Sequence, residues 1–406
     1  MKSSALRFVV LLGVVACPWA CADNDGLVLS STMEDSGSPL VTPDADASLP
    51  PASDASSDAS DEDAKPAAPT CSDGGFCLTE LPTSEVLYAV WGASDGSLWA
   101  GGSRSILHWD GTAWKTAFTW PDGGAPGVRA KIIVGTGPED VWAFGDGPGP
   151  GSSSAPAVAH LARRDSVLAW RAVTSDLEIR TGSSGTAWAA GPSDLWLAWG
   201  YEGLWHVRGE DDAGHVVAER ERGSSGQPLL AVPYGVWGFG SDRVFASGYD
   251  PTDTPVLLRR TLDGGWVNAV DASTVGHTPW HIHGTGPGDA RLWSYDGWTT
   301  RMRAVTADGT LLAPEVQRNG DDIPACRPML ASAVRSNLAW VSDGTTVCRY
   351  DGSSFEMIPI TVGGYPRFTV HALWSNGTDT WIVGEEKPRA IGGPVRGFAL
   401  RHKGGS

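Results

Sequence analysis

The sequence carries little positive charge and no sign of regular helix. Its 406 residues include 30 Lys and Arg against 47 Asp and Glu, which leaves a net charge of −17. No basic cluster is present, and this argues against a nucleic-acid partner. From residue 75 onward, Gly-rich turns alternate with short aromatic stretches, and no segment keeps the apolar period of an amphipathic helix. An all-β domain is therefore expected.

The sequence also lacks the local motifs of the common catalytic and metal sites. It has no Gly-x-Ser-x-Gly elbow, no paired carboxylates with motif support and no Cys-x-x-Cys. His281 and His283 share one side of a strand, a spacing found in metal sites, but no third ligand is near them in the sequence. Residues 94–99 resemble a sialidase box but are two residues too short. We therefore predict no catalytic residue, no metal and no cofactor.

The first 17 residues have the pattern of a secretory signal. Lys2 and Arg7 precede an apolar run at residues 8–15, which is too short for a membrane-spanning helix of ~20 residues. The sequence VVAC, ending at Cys17, is similar to a bacterial lipobox, so we expect Cys17 to be lipidated and to attach an exported protein to a membrane. Two alternatives remain: lipidation at Cys21, which lacks the aliphatic residue of the motif, and an ordinary cleaved signal.

Residues 18–74 are predicted to form a disordered tether. The part up to residue 70 is rich in Ser, Asp, Ala and Pro and contains eleven acidic residues but one base, Lys65. Such a segment has too few apolar side chains to offset the entropy cost of ordering. Its acidity is therefore interpreted as that of a solvated stalk rather than of a site for a cationic partner.

A short turn motif recurs along the rest of the chain. The copy at residues 134–142, VGTGPEDVW, resembles half of a phosphate-binding loop. A nucleotide loop occurs once, between a strand and a helix, whereas this motif recurs between strands and no Lys-Ser or Lys-Thr follows it. We expect its glycines to turn the chain and its Asp to cap the turn through backbone NH groups. The aromatic residues that end the copies, on average 47 residues apart, are Trp99, Trp142, Trp196, Phe245, Trp293, Trp340 and Trp381.

Seven units of this length, each with about four short strands, predict a seven-bladed β-propeller with four-stranded antiparallel blades at residues 75–406. We name the strands of a blade A to D from the axis outward, so that the recurring motif is the A–B turn. A second pair of turn residues follows strand C. Since type I′ turns need positive φ at both central residues, we predict type I′ hairpins at these C–D turns. The pairs are Asp110-Gly111, Asp165-Ser166, Asp211-Asp212, Asp263-Gly264, Asp308-Gly309 and Asp351-Gly352.

The seventh blade is short of one strand. Residues 397–402 are its predicted strand C, and only four residues follow. Residues 76–81 can supply the missing outer strand, which would close the ring and cover an edge that otherwise invites aggregation. The alternative is that residues 76–81 are only the end of the tether.

Four cysteines lie beyond the anchor region, and an even number in an oxidising compartment favours two disulfides. Proximity pairs Cys71 with Cys77 and Cys326 with Cys348. Cys348 lies in strand C, ~9.6 Å from strand A, and a disulfide spans Cα atoms within ~7 Å. Cys326 must therefore lie in a D–A loop that folds across the blade.

The two faces of the propeller are predicted to differ. A–B and C–D turns are short and share one face, whereas the long B–C and D–A connections share the other, named here the long-loop face. Variable loops on a rigid scaffold usually carry function, so we place binding there. The ligand-binding candidates on this face are Tyr201, Tyr249, Trp280 and Tyr365. The aromatics before the A–B turns are interpreted as packing rather than ligand stacking: Trp91, Trp188, Trp237 and Trp374.

The repeat, with its Trp-Gly-x-Gly-x-x-Asp-hydrophobic-Trp core and a trailing Trp109-Asp110-Gly111, resembles a group of bacterial surface lipoproteins. These have an Asp/Ser/Pro-rich stalk and a propeller of such repeats. The resemblance covers essentially the whole chain, although blade five has two extra residues and blade six lacks the glycines. It implies an exported, surface-anchored propeller and no particular chemistry.

Together these features predict a monomeric, non-enzymatic recognition or scaffold module, attached by lipid to the outer membrane or cell surface, with the periplasmic face as an option. Its long-loop face would bind a protein. The first alternative is lectin-like binding of extracellular polysaccharide. A polysaccharide hydrolase or lyase is the least favoured, since propellers host both but no motif supports either.

Overall fold

Twenty-eight β-strands form the regular structure of the part of the chain that the structure describes. The computed structural model describes residues 71–121, 128–147, 156–177, 185–199, 203–223, 226–269, 278–286, 289–295, 299–306, 308, 310–319, 326–335, 337–362, 368–387 and 393–404. None of these residues belongs to an α-helix, so no helix in this part of the chain is long and apolar enough to cross a membrane. The all-β prediction is confirmed.

The strands form seven four-stranded antiparallel blades, as predicted. From the axis outward, blades one to three are β2 (Leu87–Gly92), β3 (Leu98–Gly102), β4 (Ser105–Trp109) and β5 (Trp114–Thr119); β6 (Arg129–Gly137), β7 (Asp140–Asp146), β8 (Ala157–Arg164) and β9 (Val167–Ser175); and β10 (Gly185–Gly191), β11 (Asp194–Trp199), β12 (Leu204–Glu210) and β13 (His215–Arg220). The outer strands β9 and β13 pair in parallel, which joins blades two and three into one sheet.

Blades four to seven complete the ring. They are β14 (Val232–Gly238), β15 (Val244–Tyr249), β16 (Pro255–Arg260) and β17 (Trp266–Asn268); β18 (Thr278–His283), β19 (Ala290–Tyr295), β20 (Thr299–Val305) and β21 (Leu311–Asn319); β22 (Leu330–Arg335), β23 (Leu338–Ser342), β24 (Val347–Tyr350) and β25 (Phe355–Ile358); and β26 (Phe368–Ser375), β27 (Asp379–Glu386) and β28 (Arg396–Lys403), with β1 (Phe76–Leu78) outside β28.

The outer strand of blade seven comes from the start of the domain. β1 pairs antiparallel with β28, and Phe76 lies opposite His402. The Phe76 side chain is fully buried and packs edge-on against Trp340 of blade six, with ring centroids 5.6 Å apart. The strand is shorter than the predicted residues 76–81: it ends at Leu78, and Thr79 makes the last backbone hydrogen bond to β28, at Ala399.

Two disulfides are present, with the predicted pairing of Cys71 with Cys77 and Cys326 with Cys348. Cys326 lies between β21 and β22, in the D–A connection, and its Cα atom is 5.8 Å from that of Cys348. The geometric condition set by the strand spacing is therefore met by a loop that folds across the blade.

The C–D turns correct the prediction of type I′ hairpins. Asp165 and Ser166 both have positive φ, 49° and 70°, and form the predicted two-residue turn. In blades one, four and six only the glycine of the pair has positive φ. There the Asp side chain organises a longer loop: the backbone NH groups of Ser354 and Ser353 donate to Asp351 and lower its pKa to about 2. In this hairpin an Asx turn replaces the type I′ turn, because the Asp351 carboxylate accepts the backbone NH groups of the loop.

The A–B turns correct the prediction that the Asp caps backbone NH groups. In blades two and three, Asp140 and Asp194 instead each lie 2.8 Å from a ring nitrogen of a strand-C histidine, His160 and His206. Each histidine in turn stacks on the strand-B tryptophan. Backbone capping does occur in blade one, where Asp95 accepts the NH group two residues on.

The aromatics before the A–B turns pack between blades, as predicted. Each of four tryptophans lies against a glycine at the corresponding place of the next blade, and a Cβ atom on that glycine would lie 2.5 to 2.8 Å from the indole ring. Such a distance excludes any larger residue unless the ring moves. The pairs are Trp374–Gly92, Trp91–Gly135, Trp188–Gly238 and Trp237–Gly284.

Where the tryptophan is missing, the glycine is missing too. Blade two has Val134 in place of Trp, and blade three has Ala189 in place of Gly, and both pack in one apolar cluster. Blade six has Ser332, whose hydroxyl accepts the backbone NH of Ser375 in blade seven at 3.1 Å. The size of one residue therefore sets the size of its neighbour around the ring.

Candidate functional site

Strand A of five blades carries a β-bulge at its long-loop end. In blade one, Leu87 pairs with Gly102 and Ala89 with Gly101, so that Tyr88 is an extra residue outside the ladder. Bulges turn a side chain in a new direction and are frequent beside binding sites. The five extra residues, named here the bulge ring, are Tyr88, Lys131, Tyr234, Trp280 and His371.

Glycines in strand B make room for three of these bulges. A Cβ atom at Gly145, Gly248 or Gly384 would lie within 2.5 Å of a backbone oxygen of strand A, at the residue two places before the bulge. Only glycine permits that approach. These glycines near the end of strand B are the sequence signal that could have revealed the bulges and that our sequence analysis missed.

A second ring of positions surrounds the first. In four of these blades, the strand-B residue opposite the position two places before the bulge residue shares the long-loop end of the blade with the bulge residue. The resulting pairs of positions are Lys131 with Asp146, Tyr234 with Tyr249, Trp280 with Tyr295, and His371 with Glu385. Blades seven, one and two therefore form a charged half of the channel mouth. Blades four and five form an aromatic half across the axis, because the A strands contact one another in a closed ring.

The charged half contains one close ion pair and one looser contact. Lys131 Nζ lies 3.1 Å from Asp146 Oδ2, and both side chains are largely buried. The other oxygen of this carboxylate, Oδ1, is buried with no hydrogen-bond partner among the described residues. In blade seven, His371 Nε2 lies 3.7 Å from Glu385 Oε2. Tyr88 lies between the two pairs, with its ring 5.1 Å from that of His371.

Arg129 and Glu385 are charged groups without an oppositely charged partner. The guanidinium of Arg129 lies 5.5 Å from the centre of the Tyr88 ring, and no carboxylate among the described residues pairs with it. Burial lowers the pKa of His371, so this ring is neutral at pH 7 and does not neutralise Glu385. Burial also raises the pKa of Tyr88, Arg129 opposes this, and Glu385 adds to it. The two unpaired charges therefore both act on the same phenol.

The aromatic half contains two of the four predicted ligand residues. The rings of Tyr234 and Tyr249 meet edge-on, 6.0 Å apart. Trp280 is a bulge residue of β18, so its backbone lies at the mouth. Beside it, the guanidinium of Arg327 lies 4.9 Å from the centre of the Tyr295 ring. The other two predicted residues, Tyr201 and Tyr365, lie outside the described residues.

Below the mouth, the A strands enclose an axial cavity of about 450 Å³. Lys131 and His371 line it, as do His281 and His283 of blade five. Burial lowers the pKa of His281, and burial with the nearby His281 lowers that of His283 to about 4. His281 Nε2 contacts the backbone oxygen of Met329 in blade six. Both rings are therefore neutral groups of the channel wall at pH 7.

Metal and acid–base chemistry find little support in the described part of the chain. No group of three or more His, Cys, Asp or Glu side chains there could hold a metal ion. Among the same residues, the carboxyl whose pKa is raised is Glu221, because of burial. Glu221 follows the outer strand β13 and accepts a hydrogen bond from Trp266 Nε1 at 3.1 Å, far from the axis.

Comparison with known proteins gives the fold alone. No protein-family model matches the sequence, and no curated protein is significantly similar to it. The chain resembles the extracellular domain of a candidate hybrid two-component system of B. thetaiotaomicron (13% identity, TM-score 0.53, 82% of this chain and 40% of that one). It also resembles YCF48 bound to a D1 peptide (14%, 0.51, 83% and 99%) and the WD40 β-propeller domain of Doa1 (10%, 0.51, 80% and 96%). The chain thus spans less than half of the first of these.

Proposed function

We propose that the protein is an exported, non-enzymatic recognition module that binds an extended segment of a partner protein at the mouth of its axial channel. The observation that carries this proposal is the bulge ring, with charged positions on blades seven, one and two and aromatic positions on blades four and five. A rigid barrel of A strands holds these positions, so little entropy is lost when a ligand binds.

The size and polarity of the site favour a segment over a flat protein surface. A cavity of about 450 Å³ admits a few side chains but no folded domain. Most of the large exposed apolar side chains among the described residues lie on outer strands rather than at the mouth: Val167, Leu168, Val217, Val267, Leu312 and Met357. YCF48, a solved structure of similar fold, is bound to a D1 peptide, which supports a peptide as the kind of ligand.

A lectin-like role is the second candidate, and the aromatic half favours it. The Tyr234 and Tyr249 rings meet edge-on at positions of the mouth, and aromatic side chains suit the faces of sugar rings. A neutral sugar would leave the Arg129 and Glu385 charges without partners, which is why we place a peptide first.

Two screens of the purified full chain separate these roles. A peptide array is expected to give selective binders, and the variant Tyr234→Ala should weaken them tenfold or more if they bind at the mouth. A glycan array is expected to be blank. Selective glycan binding that Tyr249→Ala and Trp280→Ala abolish would instead establish the lectin. Intrinsic Trp fluorescence confirms that each variant is folded.

A further inference from the structure

We infer that the charged half of the mouth recognises a partner segment in which an acidic and a basic side chain are adjacent. The inference rests on the proposed function and names its ligand more closely. Arg129 would take the carboxylate, Glu385 would take the ammonium or guanidinium group, and the Tyr88 ring would lie between them.

Four charged groups act on the Tyr88 phenol: Arg129, Glu385, Asp146 and Glu85. Asp146 is paired with Lys131 at 3.1 Å, and Glu85 accepts hydrogen bonds from the Ser105 hydroxyl and from the backbone NH groups of Arg104 and Ser105. His371, which lies beside Glu385, is held neutral by burial. Of the four groups, Arg129 and Glu385 thus remain as one cation and one anion without an oppositely charged partner among the described residues. A ligand with a single charge would satisfy one of them and repel the other, whereas an acid–base pair satisfies both.

Arg129 and Glu385 lie on opposite sides of Tyr88. Arg129 begins β6 of blade two and Glu385 lies near the end of β27 of blade seven, on either side of β2 in blade one. No salt bridge joins them, although both perturb the pKa of Tyr88. The two charges therefore flank the phenol in a fixed order around the axis. A bound peptide must place its acidic and basic side chains in that same order. The site should therefore distinguish an Asp-Lys step from a Lys-Asp step.

A peptide can use both halves of the mouth. Arg129 is exposed and lies at the rim, two residues before the bulge of its blade, whereas Tyr234 of the opposite half is itself the bulge residue of blade four. An extended chain with an aromatic residue beyond the acid–base pair can reach across the axis. We therefore expect binders to combine the two features.

The test uses a library of synthetic eight-residue peptides, each with one Asp-Lys or one Lys-Asp step, one Phe or Tyr and no other charge. Binding to the full chain is measured by fluorescence polarisation. The probe variant exchanges the two charges, Arg129→Glu with Glu385→Arg. The control variant exchanges two exposed charges away from the axis, Arg104→Glu with Glu80→Arg. Both variants keep the net charge, so long-range attraction is unchanged.

The native protein and the control variant are expected to prefer one order of the acid–base step by tenfold or more, and the probe variant is expected to prefer the reverse order. Equal binding of the two orders by the native protein would overturn the inference. An unchanged preference in the probe variant would also overturn it. If Tyr234→Ala still weakened the binding of those peptides, the proposed function would stand. If no peptide bound, both would fail.

Discussion

Buried histidines make the channel wall sensitive to acid. Desolvation lowers the pKa of His281, His283 and His371, which line the channel, and of His206 in the Trp-stacked position of blade three. Each is neutral in the folded protein at a pH where the unfolded chain already binds a proton. The free energy of unfolding therefore decreases as the pH falls. His283 contributes over the widest pH range, because its pKa is lowered to about 4.

The first prediction concerns this linkage at His283. Between its folded pKa of about 4 and its ordinary value of 6.5, the unfolded chain binds one more proton, so the free energy of unfolding should fall by up to about 1.4 kcal/mol per pH unit as the pH drops. His283→Gln should remove that part of the slope and leave stability at pH 7.5 nearly unchanged. Urea unfolding at pH 7.5, 6, 5 and 4.5 measures it. An identical slope in both proteins would contradict the assignment.

At the level of strands, the Trp–Gly contacts make the side chains of neighbouring blades complementary in size. The Cβ atom that Ala would place at Gly92 lies 2.5 Å from the Trp374 ring. Blades two and three show the alternative, since Val134 in one allows Ala189 in the next. The closure between blades seven and one thus depends on the same packing rule as the other junctions.

The second prediction tests that rule. Gly92→Ala should destabilise the protein by about 1–3 kcal/mol, because the indole must move in a well-packed core. Trp374→Val alone should also destabilise it by leaving a cavity. The double variant recreates the pair of blades two and three, so its loss should be clearly smaller than the sum of the single losses. Additive losses in chemical unfolding would show that the two residues are not coupled.

The third prediction concerns the closing strand. Phe76 is fully buried between blades six and seven, so Phe76→Ala should cost about 3–5 kcal/mol. Because Phe76 lies in β1, which pairs with β28, hydrogen exchange should increase most in these two strands. Leu262→Ala, at a side chain that is 86% exposed in a C–D turn, serves as the control and should change little. Equal effects of the two variants would mean that β1 does not hold the ring closed.

The sequence predicted the strands well because each blade repeats one turn motif and one aromatic anchor. It predicted the C–D turns poorly, since Asp-Gly is compatible both with a type I′ hairpin and with the longer Asx turn seen at Asp351. It placed Tyr249 and Trp280 at the long-loop ends of their blades, where their backbone lies, but could not show the bulge ring. Tyr88, Lys131 and His371 are ordinary strand residues by pattern, and only the loss of pairing register moves them to the mouth.

On the scale of the whole molecule, the order of the chain gives the propeller a direction. The chain enters the domain at Phe76, beside His402 at the end of strand C, which is the short-turn face. The mouth with the bulge ring opens on the opposite face. If residues 18–70 form the proposed tether, they span ~40 Å or more as a flexible chain. A lipid at Cys17 would then be connected to the domain at its short-turn face, the face opposite the mouth.

The last prediction tests the proposed lipidation of Cys17. In a bacterial host fed an alkyne fatty acid, the native chain should be labelled and should sediment with membranes. Cys17→Ser should abolish the label, since the VVAC sequence supplies the small residue and the cysteine that lipidation requires. Cys21→Ser should keep it, because Pro18 stands where that site would need an aliphatic residue. Loss of label in Cys21→Ser alone would show that Cys21 is the lipidated residue. An unlabelled native chain would indicate that residues 1–17 are an ordinary cleaved signal.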